Sequence, residues 1–227
     1  MIPSPDFMSA VQEIGPFEGR SFENLRAIAL LNLSAYGFMV CKNSEYEIVS
    51  DLKEHSLNYV YTAQPTPQLK VDSILAVGGV HRRRSGLYVS LGTNGVDDFI
   101  SGNFDSEFFS LDGGKPREAD TNMGIRWLAL DDITEDEEAM RRLIPMAYIK
   151  TIEPAKDAVG IDKPTPMMGY CHVLVASKTV PDGVVQRIIK AMRDSPDKVR
   201  NINRSFPRFT PDSMVPKFPG IILYEGA

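Results

Sequence analysis

Apolar residues along this chain gather in short runs separated by polar segments in which they recur at helical spacing, the pattern of an α/β fold. Runs over Arg26–Leu31 and Tyr36–Cys41 predict two strands with a turn near Asn32-Leu33-Ser34 between them. Ser50 suits the cap of a short helical turn through Asp51-Leu52-Lys53-Glu54. Leu57–Tyr61 predicts a third strand, which runs into the polar loop Thr62-Ala63-Gln64-Pro65-Thr66. Pro67 follows, where a missing N–H costs a helix nothing, so Thr66 reads as an N-cap. Leu69, Ile74, Leu75 and Val77 give that helix an apolar stripe, and Gly78-Gly79 end it. Leu87–Leu91 predicts another strand, closed by an Asn94-Gly95 turn. Val96, Phe99 and Ile100 mark a short helix, and Phe104–Leu111 returns to extended structure.

In the second half, Thr134-Glu135-Asp136-Glu137 has the form of a capping box. It opens a helix carrying Met140, Leu143 and Ile144 that stops before Pro145. Gly169–Ala176 predicts an apolar strand. In Val184–Arg193 the residues Val184, Val185, Ile188, Ile189 and Met192 share one helical face. The tail from Phe206 to Tyr224 reads as irregular but too apolar for a free linker.

A length of 227 residues suits one large α/β domain or two compact lobes. With 43% apolar and 24% charged residues, wholesale disorder is excluded as an expectation. The net charge of -5 exerts no pull toward nucleic acid, and His81-Arg82-Arg83-Arg84 reads as a solvated turn. No apolar run approaches the roughly 20 residues of a membrane helix. Met1-Ile2-Pro3-Ser4-Pro5-Asp6 is unlike a signal peptide, so the chain as written is expected to stay where it is made.

Catalytic and metal chemistry is not indicated. Two cysteines, Cys41 and Cys171, with His55, His81 and His172 make neither a disulfide framework nor a zinc site, so no metal or cofactor is expected. Gly113-Gly114-Lys115-Pro116 has the wrong spacing for a phosphate loop. Cys171 and His172 are neighbours on a strand, so they point to opposite faces and cannot act as a dyad. The acidic runs Asp131-Asp132 and Glu135–Glu138 sit at a helix start, where they complement the helix dipole.

The informative unit is the strand–loop–helix from Leu57 to Gly78. A strand that delivers a hydroxyl- and amide-rich loop to a helix N-terminus can build an anion site, because free N–H groups and the positive dipole end converge there. Thr62, Gln64 and Thr66 are the candidate ligand contacts, and an ordinary βα loop is the bland alternative.

Several segments in collinear order resemble the TRAP-associated extracytoplasmic immunogenic (TAXI) family of solute-binding proteins. They are Asp51-Leu52-Lys53 with Thr62–Thr66, Asp98-Phe99, Gly102–Phe109, Glu118-Ala119-Asp120, Gly124–Leu128, Pro145–Tyr148, Gly160–Thr165, Met168-Gly169-Tyr170, Phe218-Pro219-Gly220 and Tyr224-Glu225-Gly226. The resemblance implies a type II periplasmic-binding-protein-like α/β fold, with two lobes joined by two crossing strands, Tyr36–Cys41 and Gly169–Ala176. Lobe two would span 42–168, and an incomplete lobe one would combine 1–41 with 169–227. It further implies an extracytoplasmic, periplasmic receptor, not an enzyme. Such a receptor passes a small organic anion (a carboxylate or an amino acid) to the membrane subunits of an ion-coupled TRAP transporter. Phe108 and Tyr170 are further candidate ligand contacts, with core packing the bland alternative for both aromatics.

Family members carry βα units ahead of the point matched by Phe22, and a shortened lobe one would expose sheet edges and invite self-association. Glu54-His55, the His81–Ser85 turn and Phe218 depart from the family pattern. On this reading Cys41 and Cys171 lie on neighbouring segments, and a bridge between them would require both the right distance and the right facing. A cytoplasmic ligand-sensing module of the same fold and a truncated remnant that binds nothing stay open as alternatives.

Overall fold

The computed structural model describes residues 1–61, 67–80, 86–90, 95–130, 133–202, 206 and 209–215. The described residues form eight β-strands and seven α-helices. The chain divides into two compact units, Met1–Ser34 with Tyr170–Ala227, and Ala35–Gly169. Two long strands, β2 (Leu25–Cys41) and β8 (Thr165–Ser177), pass from one unit into the other.

The length of β2 corrects one expectation. No turn forms at Asn32-Leu33-Ser34, and the chain stays extended for 17 residues. Residues Ala27 to Leu31 and Ala35 to Val40 are buried, so an uninterrupted strand covers apolar surface on both sides of that point. Local polarity at Asn32 and Ser34 is too weak a break to overcome such burial.

In the second unit, β3 (Ser56–Tyr61), α2 (Pro67–Val77) and β4 (Gly86–Ser90) make a parallel strand–helix–strand unit. Next come α3 (Gly95–Ile100) and β5 (Ser106–Ser110), and β5 lies on the other side of β3, parallel to it and antiparallel to β2. The strand order is therefore β2-β5-β3-β4. Asp105 fastens the start of β5 to the start of β3, accepting from the Ser56 N–H at 2.8 Å and the Ser56 hydroxyl at 2.5 Å.

Helix α2 ends where expected. Gly79 takes φ +59°, and a Cβ at Gly78 would stand 2.8 Å from the Ser50 backbone nitrogen, so only glycine lets this end pack on the Val49–Leu52 turn. Ser50 lies within that turn rather than capping it. The capping role belongs to the Asp51 carboxylate, which accepts from the N–H groups of Glu47 and Ile48.

Four elements of this unit went unread in the sequence: α4 (Gly114–Met123), β6 (Ile125–Trp127), β7 (Tyr148–Ile152) and the extension of β8 back to Thr165. Helix α5 (Ile133–Leu143) matches the expected helix, although Thr134 falls inside it and not at its cap. Glu137 has a more specific task than dipole complementarity. Its carboxylate accepts from the Ile149 N–H of β7 at 3.1 Å and pairs with Arg141 at 2.6 Å. One core cluster gathers Met39, Phe99, Phe104, Ile125, Trp127, Ile161 and Met167 from six segments.

The first unit holds β1 (Ile2–Pro3), paired antiparallel with β8, then α1 (Ser4–Val11), the start of β2, the end of β8, α6 (Asp182–Asp194) and α7 (Pro196–Ile202). The amphipathic stripe of α6 holds in part, since Ile188 of the expected face is exposed. Val185 is fully buried, Ile189 and Met192 pack beside it, and they meet Ile28, Leu31, Val199, Phe206 and Phe209. Cys171 is buried and His172 is not, as opposite faces of a strand require, and both cysteines are free. The conditional Cys41–Cys171 bridge is therefore not made.

Candidate functional site

In the second unit, the register that sets Leu57 opposite Ser106 brings the carboxyl ends of β3 and β5 level, at Tyr61 and Ser110. From β3 the chain leaves through α2 toward β4. From β5 it leaves through α4 toward β6, which pairs with β2. The two connections depart in opposite directions, so a topological switch point lies between β3 and β5, the place where open α/β sheets bind their ligands. Two helices open at this end of the sheet, α2 at Pro67 and α4 at Gly114, with no side-chain cap bond on α4. Their first-turn N–H groups have no partner within the helix and carry the positive end of its dipole.

The cation closest in sequence to the α4 start is already engaged. Lys115 pairs with Asp97 at 2.7 Å and Glu118 at 3.0 Å, and these bonds, Asp97 first, hold its ammonium pKa above the ordinary lysine value. It ties α3 to α4 and leaves the α2 start as the better-developed anion wall.

A hydrogen-bonded triad fixes that wall. Tyr59 on β3 is 4% exposed, and its hydroxyl donates to Asp72 Oδ1 at 2.7 Å. Gln68, the second residue of α2, donates from Nε2 to the same hydroxyl oxygen at 3.0 Å. Gln68 and Asp72 stand one helical turn apart and so present to the same strand residue. Further along α2, the Ser73 hydroxyl lies 3.4 Å from Met168 Sδ of β8, with Ile74 buried beside it. Sequence reasoning missed the triad, although the i, i+4 spacing of Gln68 and Asp72 behind a strand tyrosine was there to be read.

The expected ligand contacts have separate fates. Thr62, Gln64 and Thr66 lie outside the described residues, as does the cap reading of Thr66. Phe108 sits on β5 as expected, 5% exposed, its ring stacked on Tyr36 at 6.2 Å and edge-on to Phe38 at 5.8 Å. Tyr170 belongs to the other unit, where it is 2% exposed with its ring 6.3 Å from that of His172. No group of three or more His, Cys, Asp or Glu side chains suited to a metal ion occurs among the described residues. No helix among them is long and apolar enough to cross a membrane.

The model of the NMT1-like family matches residues 4–227. No curated protein matches the sequence. Among solved structures, a TctC solute binding protein from Polaromonas, solved without ligand, is 12% identical with a TM-score of 0.50, over 86% of this chain and 61% of that one. The chain thus spans 61% of the length of that protein. XAC2383 from Xanthomonas citri, solved with a chloride ion, is also 12% identical with a TM-score of 0.50, over 96% of this chain and 70% of that one. At such identities the likeness is one of fold, the mixed α/β architecture of periplasmic binding proteins.

Proposed function

The chain belongs to the NMT1-like family, and from that premise we propose that it is an extracytoplasmic receptor for a small organic anion, a carboxylate or an amino acid. The observation that carries this reading is that α2 follows β3 at the β3/β5 switch point, which brings the first turn of a helix and the positive end of its dipole to the carboxyl end of the sheet. An anion at such a helix start gains about 0.3–1 kcal/mol from the dipole and up to about 2 when partly buried. Neutral hydrogen bonds supply the remainder, and Thr62, Gln64 and Thr66 are the residue types for that task. Phe108, on β5 of the same unit, is the further proposed contact, and Tyr170 is proposed separately as a contact from its own unit.

Within the family, we assign the chain to the TAXI branch on its collinear motifs, and its partners to the membrane subunits of a TRAP transporter working from the periplasm. The reading is of a receptor and not an enzyme, supported by the described side chains beside the sheet end, Tyr59, Gln68 and Asp72, which bond to one another.

Thermal-shift measurements against mono- and dicarboxylates and amino acids test the proposal. A true ligand at a hundredfold excess over its Kd stabilises the folded chain by about 2.7 kcal/mol. A protein that melts cooperatively and shifts with none of these solutes would defeat the receptor reading.

A further inference from the structure

Helix α6 carries two apolar lines where a surface helix needs one. Val185, Ile189 and Met192 face the core of their own unit, where they meet Ile28, Leu31, Val199 and Phe209. Val184, Ile188 and Ala191 repeat the same spacing one residue earlier, and so lie about 100° around the helix from the first line. The unit does not cover this second line. Val184 is half-buried, Ile188 is 37% exposed and Ala191 is exposed. A single exposed apolar side chain needs no explanation, but a line of them at the spacing of a helix–helix seam is what a second helix packs against.

The charges beside this line say what that helix is. Arg187 and Asp194 stand seven residues apart, and therefore on one flank of the line. Arg187 is exposed, and Asp194, which pairs with Lys190 at 2.8 Å, keeps more than half of its side chain in solvent. Two copies of α6 laid antiparallel about a two-fold axis can set Ile188 of each against the partner's Ala191, a large side chain into a small one. The same register brings Arg187 of each copy opposite the partner's Asp194, so opposite charges flank the seam twice. A parallel pair would instead set arginine against arginine and aspartate against aspartate. The helix is complementary to itself in one direction only.

We propose that this face of α6 docks a second copy of the chain, antiparallel helix on helix, with Ile188 as the apolar anchor and Arg187 and Asp194 as the paired rim. The contact is isologous and closes at two chains. It uses a helix face rather than a sheet edge, and it does not depend on the receptor reading. One pair of short helices makes a small interface, below about 1,200 Å² of buried surface, so association belongs in the upper micromolar range.

Sedimentation equilibrium of the full chain over a concentration series tests this. The wild type is expected to pass from one chain mass to two as concentration rises. Ile188→Gln should weaken association about tenfold while the protein still melts cooperatively. Arg187→Asp and Asp194→Arg each place like charges across the seam, so each variant alone should associate less than the wild type. Mixed in equal amounts, these two variants restore both opposite-charge pairs between unlike copies, and the mixture should recover the dimer. That recovery also shows that neither variant has lost its fold. A wild type that keeps one chain mass to the highest concentration, its α6 face left to solvent or to a different protein, overturns the proposal. So does association indifferent to Ile188→Gln, or a mixture of the two charge variants no more associated than either alone.

Discussion

Gly169 sits directly opposite Tyr148 in the β7–β8 ladder, and the tyrosine ring lies over the glycine. A Cβ built at Gly169 would stand 2.6 Å from both Cε2 and Cζ of Tyr148 and 2.9 Å from its hydroxyl, where ordinary contact begins at 3.4 Å. The ring would have to retreat by nearly ~1 Å, and it is confined, because its hydroxyl oxygen is buried. Forcing one carbon into such a contact costs about 1–3 kcal/mol. Gly169→Ala should therefore lower the unfolding free energy by that amount, read as a lower urea midpoint with little change in slope. Replacing Tyr148 with alanine removes the obstacle. In that background Gly169→Ala should be neutral, or stabilising by about 0.4–1 kcal/mol through the lost freedom of the unfolded chain. The double-mutant cycle thus yields a coupling of about 1–4 kcal/mol. Equal cost of Gly169→Ala in both backgrounds would refute the argument from ring contact.

Further outcomes follow from burial and charge. Phe209 is fully buried among Val185, Val199 and Met214, so Phe209→Ala should cost about 3–5 kcal/mol, seen as a lower denaturation midpoint. Burial, with Ser4 lowering it only in part, pushes the Cys171 thiol above its usual pKa, so at pH 8 Cys171 should resist a thiol reagent that modifies the half-buried Cys41. Equal labelling of the two would contradict this. Because that pKa is raised on folding, the contribution is fully present below the unfolded thiol pKa of about 9 and is lost as pH rises beyond it. Cys171→Ala should accordingly flatten the alkaline fall in stability. Glu47, bonded to Lys163 and then Arg126, has its carboxyl pKa held below the ordinary value, so this contribution is present above the unfolded pKa and is lost as pH falls through the folded one. Glu47→Gln should remove that part of the acid dependence.

How much was legible in the sequence varied with the physics of each segment. The amphipathic stripe of α6 and the β3–α2 unit could be read because their apolar spacing, with Pro67 at one end and Gly79 at the other, states the structure locally. Helix α4 could not, since Gly-Lys-Pro-Arg-Glu-Ala-Asp-Thr-Asn-Met buries only Pro116 and Ala119 and so has almost no apolar stripe. The strand continuing through Asn32 and Ser34 was hidden for the opposite reason, burial by residues distant in sequence overruling a local turn signal. At the candidate site, the loop between β3 and α2 stood out through its hydroxyls and amides. The triad did not, because the roles of Tyr59, Gln68 and Asp72 depend on which hydroxyl donates to which acceptor. That is settled by distances.

The central claim is that a small anion binds at the start of α2, between the carboxyl ends of β3 and β5. Hydrogen exchange of the full chain, with and without a carboxylate or amino acid that raises its melting temperature, addresses this directly. The account predicts slowed exchange at the first-turn amides Gln68 and Leu69, with little change along α6 in the other unit. Protection confined to α6 and α7, or none at the α2 start while the solute is bound, would contradict it.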